Sequence, residues 1–226
     1  MIFSKFLTMK RIFSFLFLTS TSFAGIAFSR TVFVSNDSLN KTSNISVVPI
    51  AYDVETRYNY DLLYGEEKVA REGIDGYALE SGTVIVEPTN KIIEVGRGPI
   101  SISYGSTTGY GADCIGCSGN VACSTSYGTH NLIRDGIYYN DSKYGNVRVI
   151  AADNSLYSCG TIIEIDNGIM DPFMAIVLDT GGAMRNAWSN GNILIDIAFP
   201  YEYSEGVGNA TNKSGSVKFK VYRNGW

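Results

Sequence analysis

The chain has 226 residues, 45% of them hydrophobic, with 24 glycines, five prolines and a formal charge of −4. That length accommodates one large domain or two small ones. The negative balance, with no Lys/Arg cluster after residue 11, excludes the basic stripe on which nucleic-acid binders depend.

Lys5, Lys10 and Arg11 precede an apolar stretch at 12–19, followed by the small-residue segments Ser22-Phe23-Ala24 and Gly25-Ile26-Ala27. This charged, apolar, small order is that of a secretory signal, with Met9 as an alternative start. Residues 1–27 therefore read as a cleaved signal peptide or as an N-terminal membrane anchor, since 12–28 approaches spanning length. The Ser/Thr content favours cleavage. Either reading puts the remainder outside the cytoplasm, secreted or associated with the cell envelope. Loss of residues 1–27 removes three positive charges and takes the net charge from −4 to −7.

Residues 28–45 read as a polar spacer. Beyond them short β signals begin, at 47–52, 83–87 and 91–95, the last two separated by the turn Pro88-Thr89-Asn90. Gly96-Arg97-Gly98-Pro99 punctuates the chain and marks the expected domain boundary. Further strands are expected at 100–104, 146–153, 160–165, 174–179, 193–199 and 217–222. The last alternates Val217, Phe219 and Val221 with Lys218 and Lys220, a half-exposed pattern that predicts an edge strand. Helical periodicity is weak, and a short helix is expected only around 201–207, after Pro200. Many short strands without a βαβ rhythm predict an all-β protein with a closed barrel or sandwich.

Four cysteines, Cys114, Cys117, Cys123 and Cys159, fall in an exported segment, and the compartment favours disulfides in one of three pairings. Cys114-x2-Cys117 also has zinc-like spacing, but Cys123 and Cys159 are not similarly paired, and the single histidine, His130, offers no cluster.

Three aspartates sit in apolar frames. Asp153 closes the run 147–152, Asp179 ends the run 174–178 and opens Thr180-Gly181-Gly182, and Asp196 lies inside 193–199. Continuous runs of this kind read as strands buried on both faces. An ionised carboxylate is costly there, so burial raises its pKa. Three such acids in one domain point to acid–base chemistry. Each also has a structural alternative: Asp153 as acceptor of backbone N–H groups at a strand end, Asp179 as a turn cap, Asp196 as partner of Arg148 or Arg185.

Two stretches resemble known families. Tyr110-Gly111-x-Asp113-Cys114-x-Gly116-Cys117-Ser118-Gly119, Val149-Ile150-Ala151-Ala152-Asp153, Cys159-Gly160-Thr161, Ala175-Ile176-Val177-Leu178-Asp179-Thr180-Gly181-Gly182-Ala183 and Ile195-Asp196-Ile197 resemble the three-aspartate (3D) domain of bacterial cell-wall proteins. That domain is similar to the catalytic barrel of membrane-bound lytic transglycosylase A and to Gram-positive stationary-phase muralytic proteins. The likeness spans about residues 100–226. One departure is a longer step between the Gly-Gly-Ala turn and the third aspartate, where residues 185–192 either form a plain turn insertion or reshape a groove with Trp188 as a sugar-stacking candidate. Residues 46–98 resemble the five-glycine module found beside cell-wall hydrolases, most specifically at Glu87-Pro88-Thr89-Asn90-Lys91-Ile92-Ile93-Glu94-Val95-Gly96, with a shortened step between Gly76 and Val84.

The resemblance implies a double-psi β-barrel preceded by a small β-rich module, with peptidoglycan glycan strands as partner. It also implies lytic transglycosylase activity, cleaving the β-1,4 bond between N-acetylmuramic acid and N-acetylglucosamine to leave a 1,6-anhydro sugar. Such a reaction needs one carboxyl that acts first as acid and then as base, with no attacking water. Asp179 is the expected acid/base, with Asp153 and Asp196 as neighbours of raised pKa or orienting groups. Thr180, Gly181, Gly182, Trp188 and Tyr110 are the expected substrate contacts. No metal or organic cofactor is required, and no heptad pattern predicts an oligomer. Two other readings stay open: a peptidoglycan binder without activity, and an aspartic protease. The protease would need a homodimer, because the chain carries one Asp-Thr-Gly.

Overall fold

The computed structural model describes residues 30–32 and 45–226; the expected signal or anchor at 1–27 lies outside them. Sixteen strands and two helices follow in chain order: β1 (Arg30–Val32), β2 (Ile45–Ile50), β3 (Val54–Asn59), β4 (Glu67–Arg71), β5 (Gly76–Leu79), β6 (Val84–Val86), β7 (Lys91–Gly96), β8 (Ser101–Gly111), β9 (Asn120–Thr125), β10 (Gly128–Asn131), β11 (Tyr138–Asp141), β12 (Gly145–Ala151), β13 (Ile162–Asp166), β14 (Phe173–Asp179), α1 (Gly182–Ser189), β15 (Leu194–Phe199), α2 (Glu205–Ala210) and β16 (Asn212–Arg223). The described residues are all-β, 51% strand and 8% helix. Among the described residues, no helix is long and apolar enough to cross a membrane.

The residues separate into two units, one reaching to Tyr52 and including Asp75–Thr89, the other Asp53–Ile74 with Asn90–Trp226. This division differs from the boundary expected at residues 96–99: the 46–98 stretch is shared between both units. In the first unit β1, β2, β5 and β6 form an antiparallel sheet. Arg30–Val32, expected within a spacer, thus supplies a strand. In the second, β3, β7 and β4 form a small sheet with β7 central.

The second unit also holds a closed six-stranded barrel, ordered β12-β14-β13-β16-β8-β15 and closed by the pairing of β15 with β12, and the two-stranded β9–β10 hairpin. The pairs β12–β14 and β8–β15 are parallel; the remaining neighbours are antiparallel. Strand β11 pairs with Gly145–Arg148 of β12, ahead of the residues of β12 that pair with β15.

The expected double-sided burial is present, and two apolar clusters account for it. Ile150, Ile163, Ile165, Ala175, Val177, Ile195, Ile197, Val217, Phe219 and Val221 form one. Val147, Val149, Ile162, Ile176, Leu178 and Ala198, alternate residues on several of the same strands, join Val121, Cys123, Leu132 and Tyr139 in the other. Period-two alternation sends successive side chains to opposite faces, so a strand covered on both sides must be apolar throughout. Each fully buried Ile, Leu or Val contributes roughly 1.5–3 kcal/mol.

Strand β16 is not an edge strand. It lies between β13 and β8, with Val217, Phe219 and Val221 essentially buried. On its other face Lys220 Nζ meets Glu164 Oε1 at 2.7 Å, and Tyr222 donates to Glu164 Oε2. Residues 185–192 hold most of helix α1 and the turn after it, anchored by buried Met184, where a plain turn insertion or a groove-shaping loop was expected. The short helix expected at 201–207 forms a few residues later, as α2.

All four cysteines are paired, as Cys114–Cys117 and Cys123–Cys159. The second bond ties the β9–β10 hairpin to the segment that follows β12.

Candidate functional site

Strands β14, β12 and β15 lie side by side and set out two of the acids. Asp179 is in register with Ala151, and Ala151 with Asp196. One strand separates the two acids, so their backbones are about 10 Å apart, two strand spacings. The register of β12 against β14 slips between Ile150 and Ala151, leaving Leu178 without a partner opposite. Such a bulge re-aims the residues beside it. Here it falls at Asp179, whose carbonyl then accepts from Ala152 N–H at 3.1 Å.

The Asp179 carboxylate is held by three donors. Oδ1 accepts from the backbone N–H of Thr180 (2.9 Å) and of Ala122 (3.1 Å), and Oδ2 from the Tyr110 hydroxyl (3.1 Å). Ala122 belongs to β9, so the hairpin stapled by Cys123–Cys159 helps to orient this acid. Burial, then the charges of Asp179 and Asp196, raise the Tyr110 pKa and keep its phenol a donor.

Asp196 differs. It is mostly buried, and burial is the main force lifting its pKa to about 6; the charges of Glu202 and Asp179 add to that. The hydrogen bond from Thr108 Oγ1 to Oδ1, 2.8 Å, acts in the opposite direction. No ion pair forms with Arg148 or Arg185. Arg148 donates to the Ala198 carbonyl (2.7 Å) and the Tyr138 hydroxyl (3.1 Å), and Arg185 to Thr180 Oγ1 (3.3 Å).

Asp153 corrects an expectation. Its carboxylate accepts from the Ser155 hydroxyl and from Ser155 N–H (2.8 Å), and its carbonyl from Leu156 and Tyr157 N–H. The Ser155 hydroxyl lowers its pKa most, outweighing burial, so Asp153 is not a neighbour of raised pKa. It performs the turn-capping work common for Asp at strand ends.

Of the expected contacts, Tyr110 and Thr180 bond to Asp179 directly. Gly181 precedes α1 in extended conformation, and Gly182 begins that helix with open space where a Cβ would stand. Trp188 lies near the far end of α1, 39% exposed and making neither a side-chain hydrogen bond nor a ring contact with the acids.

Glu202 went unrecognised in the sequence. Its Oε2 accepts from Gly111 N–H at 2.6 Å, while its own N–H donates to Asp113 Oδ1 at 2.7 Å. A Cβ on Gly111 would stand 1.9 Å from Glu202 N, so only glycine permits this approach. The signal available was Gly111-x-Asp113, which fixes the receiving loop but not the acid it receives. Two networks of neutral donors thus meet at one end of β14, β12 and β15: three donors converge on Asp179, while Thr108 bonds to buried Asp196, whose pKa is lifted to about 6.

No family model, curated protein or solved structure matches the chain.

Proposed function

We propose that the protein is a peptidoglycan-cleaving lytic transglycosylase of the extracytoplasmic space, working with a double-psi β-barrel. The observation that carries this reading is the pairing of a donor-saturated carboxylate, Asp179, with a buried carboxyl, Asp196, whose pKa is lifted to about 6. Acids and bases work best with a pKa near the operating pH, and separating two carboxylates by environment assigns their tasks. Two parallel strand pairs within six strands support the double-psi topology. Two disulfides suit an oxidising compartment.

The assignment exchanges the roles expected from the sequence. Both Asp179 oxygens are engaged, by three donors in all, whereas Asp196 takes one side-chain hydrogen bond, from Thr108, and one from the Ile197 N–H. Protonated Asp196 gives its proton to the glycosidic oxygen as the C1–O bond of the muramyl residue breaks. The Asp179 carboxylate stabilises the positive charge that develops on that ring. Asp196, now ionised, takes the proton of the muramyl C6 hydroxyl as that oxygen bonds to C1. The product is a 1,6-anhydro sugar, and no water is consumed. Tyr110 and Thr180 hold Asp179 in place, and the open space at Gly182 leaves room for the sugar.

Purified protein incubated with sacculi tests the reading. Release of anhydro-muropeptides supports it. Reducing ends would indicate a hydrolase, and co-sedimentation without release would indicate a binder.

A further inference from the structure

A second polar recess lies at the β9–β10 hairpin. It is a cleft of about 340 Å³ lined by Thr125, Tyr127, His130, Arg134, Asp135 and Asn140, among others. His130 is the chain's only histidine, and its side chain is only 9% exposed. Nε2 lies 2.7 Å from the Gly136 carbonyl. A carbonyl can only accept, so that nitrogen carries the hydrogen and Nδ1 of the neutral ring is left as an acceptor. Among the described residues Nδ1 has no hydrogen-bond partner; Asp135 Oδ2, itself an acceptor, is 4.0 Å away. Nδ1 opens to the cleft, where a group able to donate, such as a hydroxyl, can reach it.

The other lining groups define the ligand. Arg134 grips Asp135 through two bonds of 2.7 Å, so their charges cancel and leave a planar array of donors and acceptors. Tyr127 is 89% exposed at the rim and offers its ring as a stacking face. This combination suits a neutral, hydroxyl-bearing ring with one apolar face, and it does not favour a free anion or cation. Position adds a second reason. Ala122 N–H holds Asp179, and Thr125, three residues further along β9, lines the cleft. At 3.3 Å per residue this is about 10 Å along the strand, within reach of a short oligosaccharide.

We infer that this cleft is a pyranose-binding subsite. It takes a sugar ring of the glycan whose scissile bond lies at Asp179 and Asp196, with a ring hydroxyl donating to His130 Nδ1 and the sugar face stacked on Tyr127. The inference rests on the transglycosylase reading for the rest of the glycan, but binding is measured separately from cutting.

The single histidine provides the readout, because its imidazole nitrogen signals are unambiguous in NMR spectra of the full chain. The probe is a purified tetrasaccharide of alternating N-acetylglucosamine and N-acetylmuramic acid, added to the Asp196→Asn variant so that nothing is cut. The expected result is a saturable shift of the His130 Nδ1 signal, with Tyr127→Ala weakening the apparent affinity at least ~10-fold, as loss of a stacking face worth more than about 1.4 kcal/mol would give. Tyr127 is exposed, so its replacement leaves the fold intact. Absence of a His130 shift at saturating tetrasaccharide, or a shift unchanged by Tyr127→Ala, overturns the subsite. If His130 responds and Tyr127→Ala weakens binding while the unsubstituted protein releases no anhydro product from sacculi, the subsite stands and the transglycosylase reading falls.

Discussion

The barrel wall and the small β3–β7–β4 sheet are built from strands of similar length, yet they differ in what covers them. In β12 the residues Val147 to Ala151 are all buried, and in β14 Ala175 to Leu178 are. In β4 all five residues are exposed, and in β3 five of six. A wall packed on both faces has little freedom to relax around a substitution, so it can hold a carboxyl in low-dielectric surroundings at a fixed distance from a second acid. An exposed sheet can do neither; Asp179 and Asp196 stand on β14 and β15. The comparison can be broken or sharpened by substitution.

The largest expected effect is on chemistry. Asp196→Asn should lower anhydro-muropeptide release by about 10²–10⁴-fold, the usual worth of a positioned acid–base group, with circular dichroism unchanged. Next in size is the staple: removing Cys123–Cys159, separated by 36 positions, should cost roughly 4 kcal/mol by loop-closure entropy, measured by urea unfolding. Ile150→Ala in the wall should cost about 2–5 kcal/mol by the same assay. Val69→Ala in exposed β4 should change stability by less than about 0.5 kcal/mol; a comparable loss at both positions would erase the contrast.

Stability should also respond to pH at Asp196. Its folded pKa, about 6, exceeds the ordinary 3.8, so between those values the folded state binds more protons than the unfolded one. Stability therefore falls as pH rises through this window. The shift of about two units corresponds to roughly 2–3 kcal/mol. Asp196→Asn should thus be more stable than the unsubstituted protein at pH 8 by about that amount, and nearly equal to it at pH 4. Thermal melts at the two pH values check this.

The same contrast explains what the sequence made legible. Strands β12, β14 and β15 were readable because double burial demands unbroken apolar runs. Strands β3 and β4 were not, because exposed positions carry little pattern, and β9 to β11 were not, because each buries two residues at most. Strand β16 was misjudged for a related reason. Alternation of Val217, Phe219 and Val221 with lysines reports one buried face, but it does not say whether the strand's edges are paired. Helix α1 was hidden by Gly181-Gly182 and by polar residues at 185–192, with only buried Met184 anchoring it. At the candidate site, Asp179 and Asp196 stood out by context, and Tyr110 by the resemblance of its motif. Glu202 did not, because a loop carries it to Gly111 and no local spacing encodes that meeting. Asp153 shared the apolar approach of the other two, but Ser155, two residues on, turned it to a local task.

The most direct test of the account is the pH profile of anhydro-muropeptide release from sacculi between pH 5 and 8. The account predicts that release declines as pH rises past about 6, as the Asp196 carboxyl loses its proton. A rate that stays level to pH 8, or undiminished release by Asp196→Asn, would contradict it.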